Sequence, residues 1–482
     1  MGGGLTIASA YKLYVFLINA GTALLSFFCF RKVFINKKTA LLLSFVYVTS
    51  GYRIVNLYVR AAVGEYTAMM FFPVLAMVLY RIYTEDSSDW KRYRRNAPVL
   101  AVGMTGLICT HVLSTEMMVF VMFFTGIVLW KKTLRKNTMK VYGLAAVETA
   151  ALSAYFWIPF LDYYLHENVS INRTVEDVVK KIQGSGAYVG QYFCFFQNIF
   201  GSGTQQERMG MSPGPVLMAV LLAAAVMWIN KKADRQIKYL LVFSVAMLFL
   251  ATDLFPWDAL AAHWKAGRVM SQVQFPWRYI GIAIILLTLL FGCMLQFCSE
   301  NILPCGIVEK IHMAVAGICV LMALFYASSC ADHADMAYYQ HTAELNDYSI
   351  GGGEYIRTGT NTDAFTGSIQ EENMRKVSLL SHIGCQMEIY CETGENDGSL
   401  ELPLLNYKGY TVTDESGNTY DITDGANNVI RFSLPAHFSG KIWIDFEEPW
   451  YWRMGGLISV VAGLGLCIRK GNELMRINFV RE

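Results

Sequence analysis

Residues 51–66 read GYRIVNLYVRAAVGEY, and the character of the whole chain turns on them. The stretch sets two arginines, an asparagine and a glutamate between two strongly apolar runs, so it is too polar to face lipid. On a helix, Arg53, Asn56 and Arg60 fall at i, i+3 and i+7 and form one polar stripe, while Ile54, Val55, Leu57 and Val59 cover much of the rest. That is the pattern of a helix lying in a membrane interface. An arginine there offers a planar, permanently charged fork suited to phosphate oxygens. Glu65, just after the helix-weakening Gly64, brings a carboxylate to the same rim. The stretch predicts an anionic-headgroup site beside an acid or base. The plainer alternative is a pair of snorkelling arginines, one of them paired with the glutamate across an exposed rim.

Composition points the same way. With 482 residues, 54% hydrophobic, 16% charged and a mean hydropathy of +0.34, the chain lies far from soluble globular proteins and near polytopic membrane proteins. A net charge of +2 with no long charged tail excludes nucleic acid as the expected partner. The eleven cysteines are scattered, several inside apolar runs, and Cys385 and Cys391 would stand roughly 20 Å apart on one strand, so no disulfide framework is expected. No HxH or HExxH pattern appears among the eight histidines, so no metal site is expected. There is no phosphate loop of the GxxxxGK[ST] type, which argues against ATP.

Apolar runs mark about eleven candidate membrane helices, at 11–30, 39–52, 66–83, 97–111, 115–130, 141–161, 214–229, 237–253, 276–298, 311–329 and 454–468. If they alternate, the basic clusters around Arg31, Arg92, Lys131, Lys231 and Arg469 all fall on one side. By the positive-inside rule that side is the cytoplasm, with the amino terminus outside. The plasma membrane is therefore the expected location, and the unusual polar residues gather at the outer face: Arg53, Arg60, Glu65, His111, Glu116, Asp162, His166, Glu167, Asp253, His263, Arg268 and Arg278. Two outer loops, 162–213 and 254–276, are long enough to build a site. Residues 330–450 differ in kind, with short alternating stretches such as VIRFSL and KIWIDF between turn signals at ESGN, DGANN and HFSG. They predict an extracytoplasmic β domain, most simply a sandwich. The expected architecture is an α-helical polytopic bundle over 1–329, that β domain at 330–450, and a last helix with a cytoplasmic tail at 451–482.

Smaller constellations have two readings each. His111 in ICTHVLSTEMM, five residues before Glu116, can orient a hydroxyl or pair with phosphate, or simply cap the next helix. In QFPWR, Pro276 suits a helix start, Trp277 the headgroup belt, and Arg278 sends a cation outward. Asp162, His166 and Glu167 leave the membrane together as catalytic or merely solvated groups. Asn168 and Asn172 open glycosylation sequons, meaningful only in a eukaryotic secretory host. MGGGLTIASAYK has neither the basic region nor the cleavage site of a signal peptide.

Several stretches in order, AYKLYVFLIN, YRIVNLYVRAAVGEY, THVLSTE, QFPWRYIG, GGGEYIRTGTN and LPLLNYKGYTVTDESGN, resemble the bacterial YfhO-like membrane proteins, a group overlapping one labelled pyruvoyl-tetrahydropterin-synthase-related. The zinc histidines that pterin chemistry needs are missing. The family is similar to GT-C glycosyltransferases, which take a sugar from a polyprenyl-phosphate donor at the outer face. The resemblance implies a lipid-linked sugar as donor substrate, an envelope glycan or lipid as acceptor, and no cofactor beyond an optional divalent cation. It implies that Arg53, Arg60 and Arg278 hold the donor phosphate and that Glu65 and His111 orient the acceptor or transfer protons. GT-C enzymes carry an essential acid in a first external loop. This chain begins where that loop would be finishing, so the expectation is either that the acid lies upstream of this sequence or that a divergent protein has lost it. The rivals are a non-catalytic envelope scaffold and a transporter, though a transporter would show charges at the membrane midplane.

Overall fold

Among the described residues, the most apolar long helix is also the most enclosed. Aliphatic side chains run all the way round Tyr279–Asn301, including Ile280, Ile284, Leu287 and Leu290, and helices Lys37–Val48, Phe72–Thr84, Pro215–Ile229 and Arg235–Leu250 pack against it. A helix with no polar face can only be a core helix or a membrane span. Gly292 lets the chain come close: a Cβ there would stand 2.3 Å from the Phe34 ring, just past the helix Ile7–Val33.

The computed structural model describes residues 6–170, 181–196, 209–332, 355–361 and 367–479. The chain is mostly helical and divides into two units. One comprises Met1–Ser153, Val175–Ser349 and Ala462–Glu482; the other comprises Ala154–Thr174 and Ile350–Val461.

Among the described residues, four helices are long and apolar enough to cross a membrane, up to six if two bent pairs each count as one span. Phe72–Thr84, Val112–Val128 and Pro215–Ile229 are apolar but shorter, roughly 20–25 Å long against a hydrocarbon core of about 30 Å. Eleven apolar runs therefore give fewer full-length helices, because breaks interrupt them. One break, a bend of 51°, falls between Lys37–Val48 and Gly51–Val59. Unlike the central helix, Ala8–Val33 and Gly306–Asp332 are only 22% and 17% buried over their apolar windows, leaving side chains such as Phe16, Phe28, Met313 and Leu321 outward.

The described parts of the two expected outer loops are folded. Within 254–276 lie the short helices Trp257–His263 and Lys265–Met270 and the turn Ser271–Val273. Gln183 is tied to Asp253 and Asp258, and Ala187 bridges Thr252. Residues 171–180 and 197–208 of the first loop, including Asn172 and part of its glycine-rich stretch, lie outside the described residues.

The second unit holds the β region. Strands β1 (Gln370–Glu372), β2 (Met374–Ile383), β3 (Gln386–Thr393), β4 (Gly398–Leu405), β5 (Tyr410–Asp414), β6 (Thr419–Tyr420), β7 (Thr423–Asp424), β8 (Val429–Leu434) and β9 (Ser439–Phe446) form two antiparallel sheets, ordered β1-β4-β8-β7 and β2-β3-β9-β5-β6. Period-two alternation sends Leu400, Leu402, Ile430 and Phe432 from one sheet and Ile389, Cys391, Val412, Ile442 and Ile444 from the other into one core. VIRFSL is β8 and KIWIDF falls in β9. The predicted turns carry the expected backbone: Gly417 has φ +80°, Asn427 +63° and Asn428 +62°. Cys391 is in this core and Cys385 is exposed at the β2–β3 turn, both as free thiols.

Candidate functional site

The opening stretch does not make a continuous α-helix. Gly51–Ile54 runs into a π-helical turn, Val55–Val59, whose wider ring is closed when the Arg60 N–H returns to the Val55 carbonyl at 2.9 Å. Such turns are rare and recur at functional sites. The polar stripe shifts accordingly: Tyr52, Asn56 and Arg60, four residues apart, share a face, and Arg53 is turned away from it.

The face is completed by Glu65, in the short helix Val63–Ala68. Its Oε1 accepts from the Tyr52 hydroxyl at 2.6 Å and Asn56 Nδ2 at 3.0 Å. Its Oε2 accepts from Arg60 Nη1 at 2.8 Å and Arg278 Nε at 3.3 Å. Four donors fill the four lone-pair sites of one carboxylate. The carboxylate is only 4% exposed and its arginines 13% and 8%, so this is a buried network and not the exposed rim pair that the sequence suggested. Burial by itself would push the Glu65 carboxyl up, but Arg60, Arg278 and the Tyr52 hydroxyl hold it below the usual carboxylate range. One carboxylate against two guanidiniums leaves the cluster one positive charge in excess.

Each guanidinium is aimed by its surroundings. Arg60 Nη1 also donates to Asn56 Oδ1 at 2.6 Å, and the group lies 6.0 Å from the Trp277 ring. Arg278 Nη1 donates to the Val273 carbonyl and to Gln274 Oε1, with the guanidinium 5.0 Å from the Phe275 ring. Phe275 and Trp277 stack at 4.6 Å. The buried indole N–H of Trp277 has no partner among the described residues, an unspent donor beside Arg60. The backbone is held in unusual conformations on both sides, Ala61 at φ +46° and Gln274 at φ +64°. Such left-handed non-glycine residues cost about 1–3 kcal/mol each and gather at functional sites.

His111 adjoins the cluster through Gly64. A Cβ on Gly64 would stand 2.8 Å from the Thr110 carbonyl and 3.2 Å from the His111 ring, so glycine is what allows this approach. The chain break thus falls at Ala61–Ala62, not at Gly64. His111 caps Val112–Val128: its Nδ1 accepts from the Ser114 N–H at 3.2 Å and lies 2.8 Å from the Ser114 hydroxyl. With Nδ1 accepting, the neutral ring carries its proton on Nε2. Glu116, in the same helix, has one buried carboxylate oxygen without a partner among the described residues.

Arg53 is the candidate that stands apart. It is fully buried and donates to Asn19 Oδ1 at 2.8 Å, Thr22 Oγ1 at 3.1 Å and the Val48 carbonyl at 3.3 Å. The bend after Val48 leaves a helix-end carbonyl to satisfy, and Arg53 satisfies it while fastening the bend to Ile7–Val33. It neither snorkels nor faces an open site. Of the expected constellation, Glu65, Arg60, Arg278 and His111 come together. Tyr52 joins them unforeseen, although the four-residue repeat of Tyr52, Asn56 and Arg60 was there to be read.

In the second unit, Asp162 is held as tightly. Its Oδ1 meets Lys408 Nζ at 2.9 Å and His166 Nδ1 at 3.0 Å; its Oδ2 accepts from Tyr451 at 2.5 Å and from the Trp452 indole at 2.9 Å. Glu167 pairs with Arg357, which also grips Asp424. These acids, expected as catalytic or solvated, fasten Ala154–His166 to the β strands and to the start of the last helix.

Among the described residues no group of three or more His, Cys, Asp and Glu could hold a metal ion. An uncharacterized protein of Lactococcus lactis subsp. cremoris (strain MG1363) is 30% identical over 98 residues, which is 19% of this chain and 16% of that protein. No protein-family model and no solved structure matches the chain.

Proposed function

We propose that the chain is a multi-pass plasma-membrane protein of the YfhO-like, GT-C-related kind, whose outer face binds the phosphate of a polyprenyl-phosphate-linked sugar in envelope glycan or glycolipid synthesis. The observation that carries this reading is the charge imbalance at Glu65: two pre-aimed guanidiniums share one carboxylate, and the surplus charge lies beside an unspent indole donor. Bidentate arginine forks suit phosphate, and a rigid carboxylate anchor keeps them ready for it. Exposed apolar side chains along the long helices support the bilayer as partner. The basic clusters support an outward amino terminus and 330–450 region and an inward carboxyl terminus.

Within this reading Arg60 and Arg278 bind the donor phosphate and Glu65 positions them. Transfer of a glycosyl group to an acceptor hydroxyl also needs a base for the hydroxyl proton. Glu65 has no lone-pair site left and His111 already uses its Nδ1, so the cluster accounts for binding better than for proton transfer. That saturation favours a second reading, a non-catalytic envelope-assembly protein that binds the same lipid-linked glycan. Mass spectrometry of polyprenyl-linked sugars and envelope glycans, in cells carrying the intact gene or Arg60→Lys, tests both. Accumulation of one lipid-linked sugar with loss of its glycan product in the variant supports the enzyme. An altered glycan distribution with unchanged lipid-linked pools supports the assembly protein, and unchanged profiles at normal protein level contradict both.

A further inference from the structure

Beside helix Arg235–Leu250, two cavities share a wall. The larger, about 700 Å³, runs along helix Arg235–Leu250 from Arg235 and Lys238 past Val242 to Leu250, with Phe124 and Trp228 on its sides. Sixteen residues of helix span roughly 24 Å, longer than the roughly 15 Å that one leaflet contributes to a hydrocarbon core about 30 Å thick, so the groove is long enough to hold one lipid tail along part of its length. Apart from its cationic end its lining is apolar or aromatic. The smaller, about 480 Å³, is bounded by Trp228, Ile229, Lys231, Lys238 and Leu241. Trp228 and Lys238 belong to both. An apolar groove thus adjoins a cationic chamber across Trp228, an indole being the residue type favoured at the headgroup level.

The cations there are not spent on carboxylates. Arg235 lies on the Tyr239 ring at 5.4 Å and donates to its hydroxyl. Lys231 and Lys238 make no ion pair among the described residues. Asp234, the neighbouring acid, turns its Oδ1 to the Ile237 N–H as a helix cap. Lys231 takes φ +59°, the left-handed conformation where a chain leaving a helix usually has glycine or asparagine.

We propose that these joined cavities are a binding site for an anionic phospholipid of the inner leaflet, its headgroup phosphate between Lys231 and Lys238 and one acyl chain along Arg235–Leu250. Charge decides the class, since a zwitterionic headgroup would bring its own cation into a chamber that already holds two. The inference rests on the membrane part of the function proposed above, and is independent of the glycan chemistry.

The test uses the full-length protein in nanodiscs containing equal phosphatidylglycerol and phosphatidylcholine, with retained lipid counted by native mass spectrometry. We expect phosphatidylglycerol to be retained at least about tenfold over phosphatidylcholine, a preference lost in Lys231→Gln/Lys238→Gln and kept in Lys238→Arg. Val242→Trp, which fills the groove, should reduce retention of both lipids. Should the glutamine variant fail to purify as a monodisperse species, the wild-type preference must fall with added salt. Equal retention of the two lipids, or a preference indifferent to the lysines and to salt, overturns the site. Release of the chain from membranes by alkali overturns the membrane reading itself, which distinguishes the two failures.

Discussion

Glu65 and Asp162 are both buried carboxylates saturated with donors, one in each unit, and they solve different problems. Glu65 gathers two guanidiniums, an amide and a phenol, and its cluster keeps one positive charge in excess. Asp162 gathers one ammonium with a phenol, an indole and a histidine, and its cluster is neutral while that histidine is neutral. Three of the four Glu65 partners lie within the same short stretch, whereas Lys408, Tyr451 and Trp452 are drawn from 246 to 290 residues away. A carboxylate whose partners come from distant segments and cancel its charge is a fold staple. One that over-collects cations from a locally distorted helix holds a site in readiness.

The largest effect that could break this contrast is at Glu65. Glu65→Gln leaves two buried guanidiniums without a counter-charge, which should cost about 3–5 kcal/mol. Its thermal unfolding midpoint should drop well below that of Arg60→Lys. A melt like wild type would mean that the carboxylate is no anchor. Asp162→Ala comes next: it strands the Tyr451 and Trp452 donors at about 1–3 kcal/mol each, while the half-exposed Lys408 contributes only about 0–1 kcal/mol. Limited proteolysis should then cut the second unit faster at turns such as Gly384, with lipid-phosphate binding by the first unit unchanged. Impaired binding in that variant would erase the distinction between staple and site.

Arg60→Lys keeps the charge and loses the fork. It should weaken phosphate binding by about 1.5–3 kcal/mol, roughly ten- to a hundredfold, and lower stability less than Glu65→Gln does. The smallest effect concerns pH. Hydrogen bonding from Arg357 holds the Asp424 carboxyl below its usual range. A depressed folded value means that the stabilisation is present above about pH 4 and is lost as pH falls through the folded value. The second unit should melt progressively lower below about pH 4, and Asp424→Asn should flatten that slope slightly because the pair is half exposed. An identical slope in the variant would remove Asp424 from the account.

Much of this was legible in the sequence where one periodicity governs. VIRFSL and KIWIDF became strands because alternation at period two leaves no other way to bury Ile430, Phe432, Ile442 and Ile444. The candidate site was half legible. Arg60 and Glu65 are five residues apart and could be paired by eye, but Arg278 reaches Glu65 across 213 residues, which spacing cannot announce. The π-helical turn has no composition of its own, so regular helical spacing predicts a stripe of Arg53, Asn56 and Arg60 where Tyr52, Asn56 and Arg60 share the face. Gly64 reads as a helix breaker, yet its role is to admit His111. Asp162 looked solvated because Lys408, Tyr451 and Trp452, three of its four partners, lie more than two hundred residues away.

The central claim is that the excess positive charge at Glu65 exists to hold a lipid phosphate. The most direct measurement is native mass spectrometry of the full-length protein in nanodiscs, titrated in parallel with a polyprenyl phosphate and with the corresponding uncharged polyprenol. The account predicts that only the phosphate binds with a defined stoichiometry, and that Arg60→Lys weakens it by roughly tenfold or more. Equal binding of phosphate and alcohol, or an Arg60→Lys variant that binds the phosphate as wild type does, would contradict it.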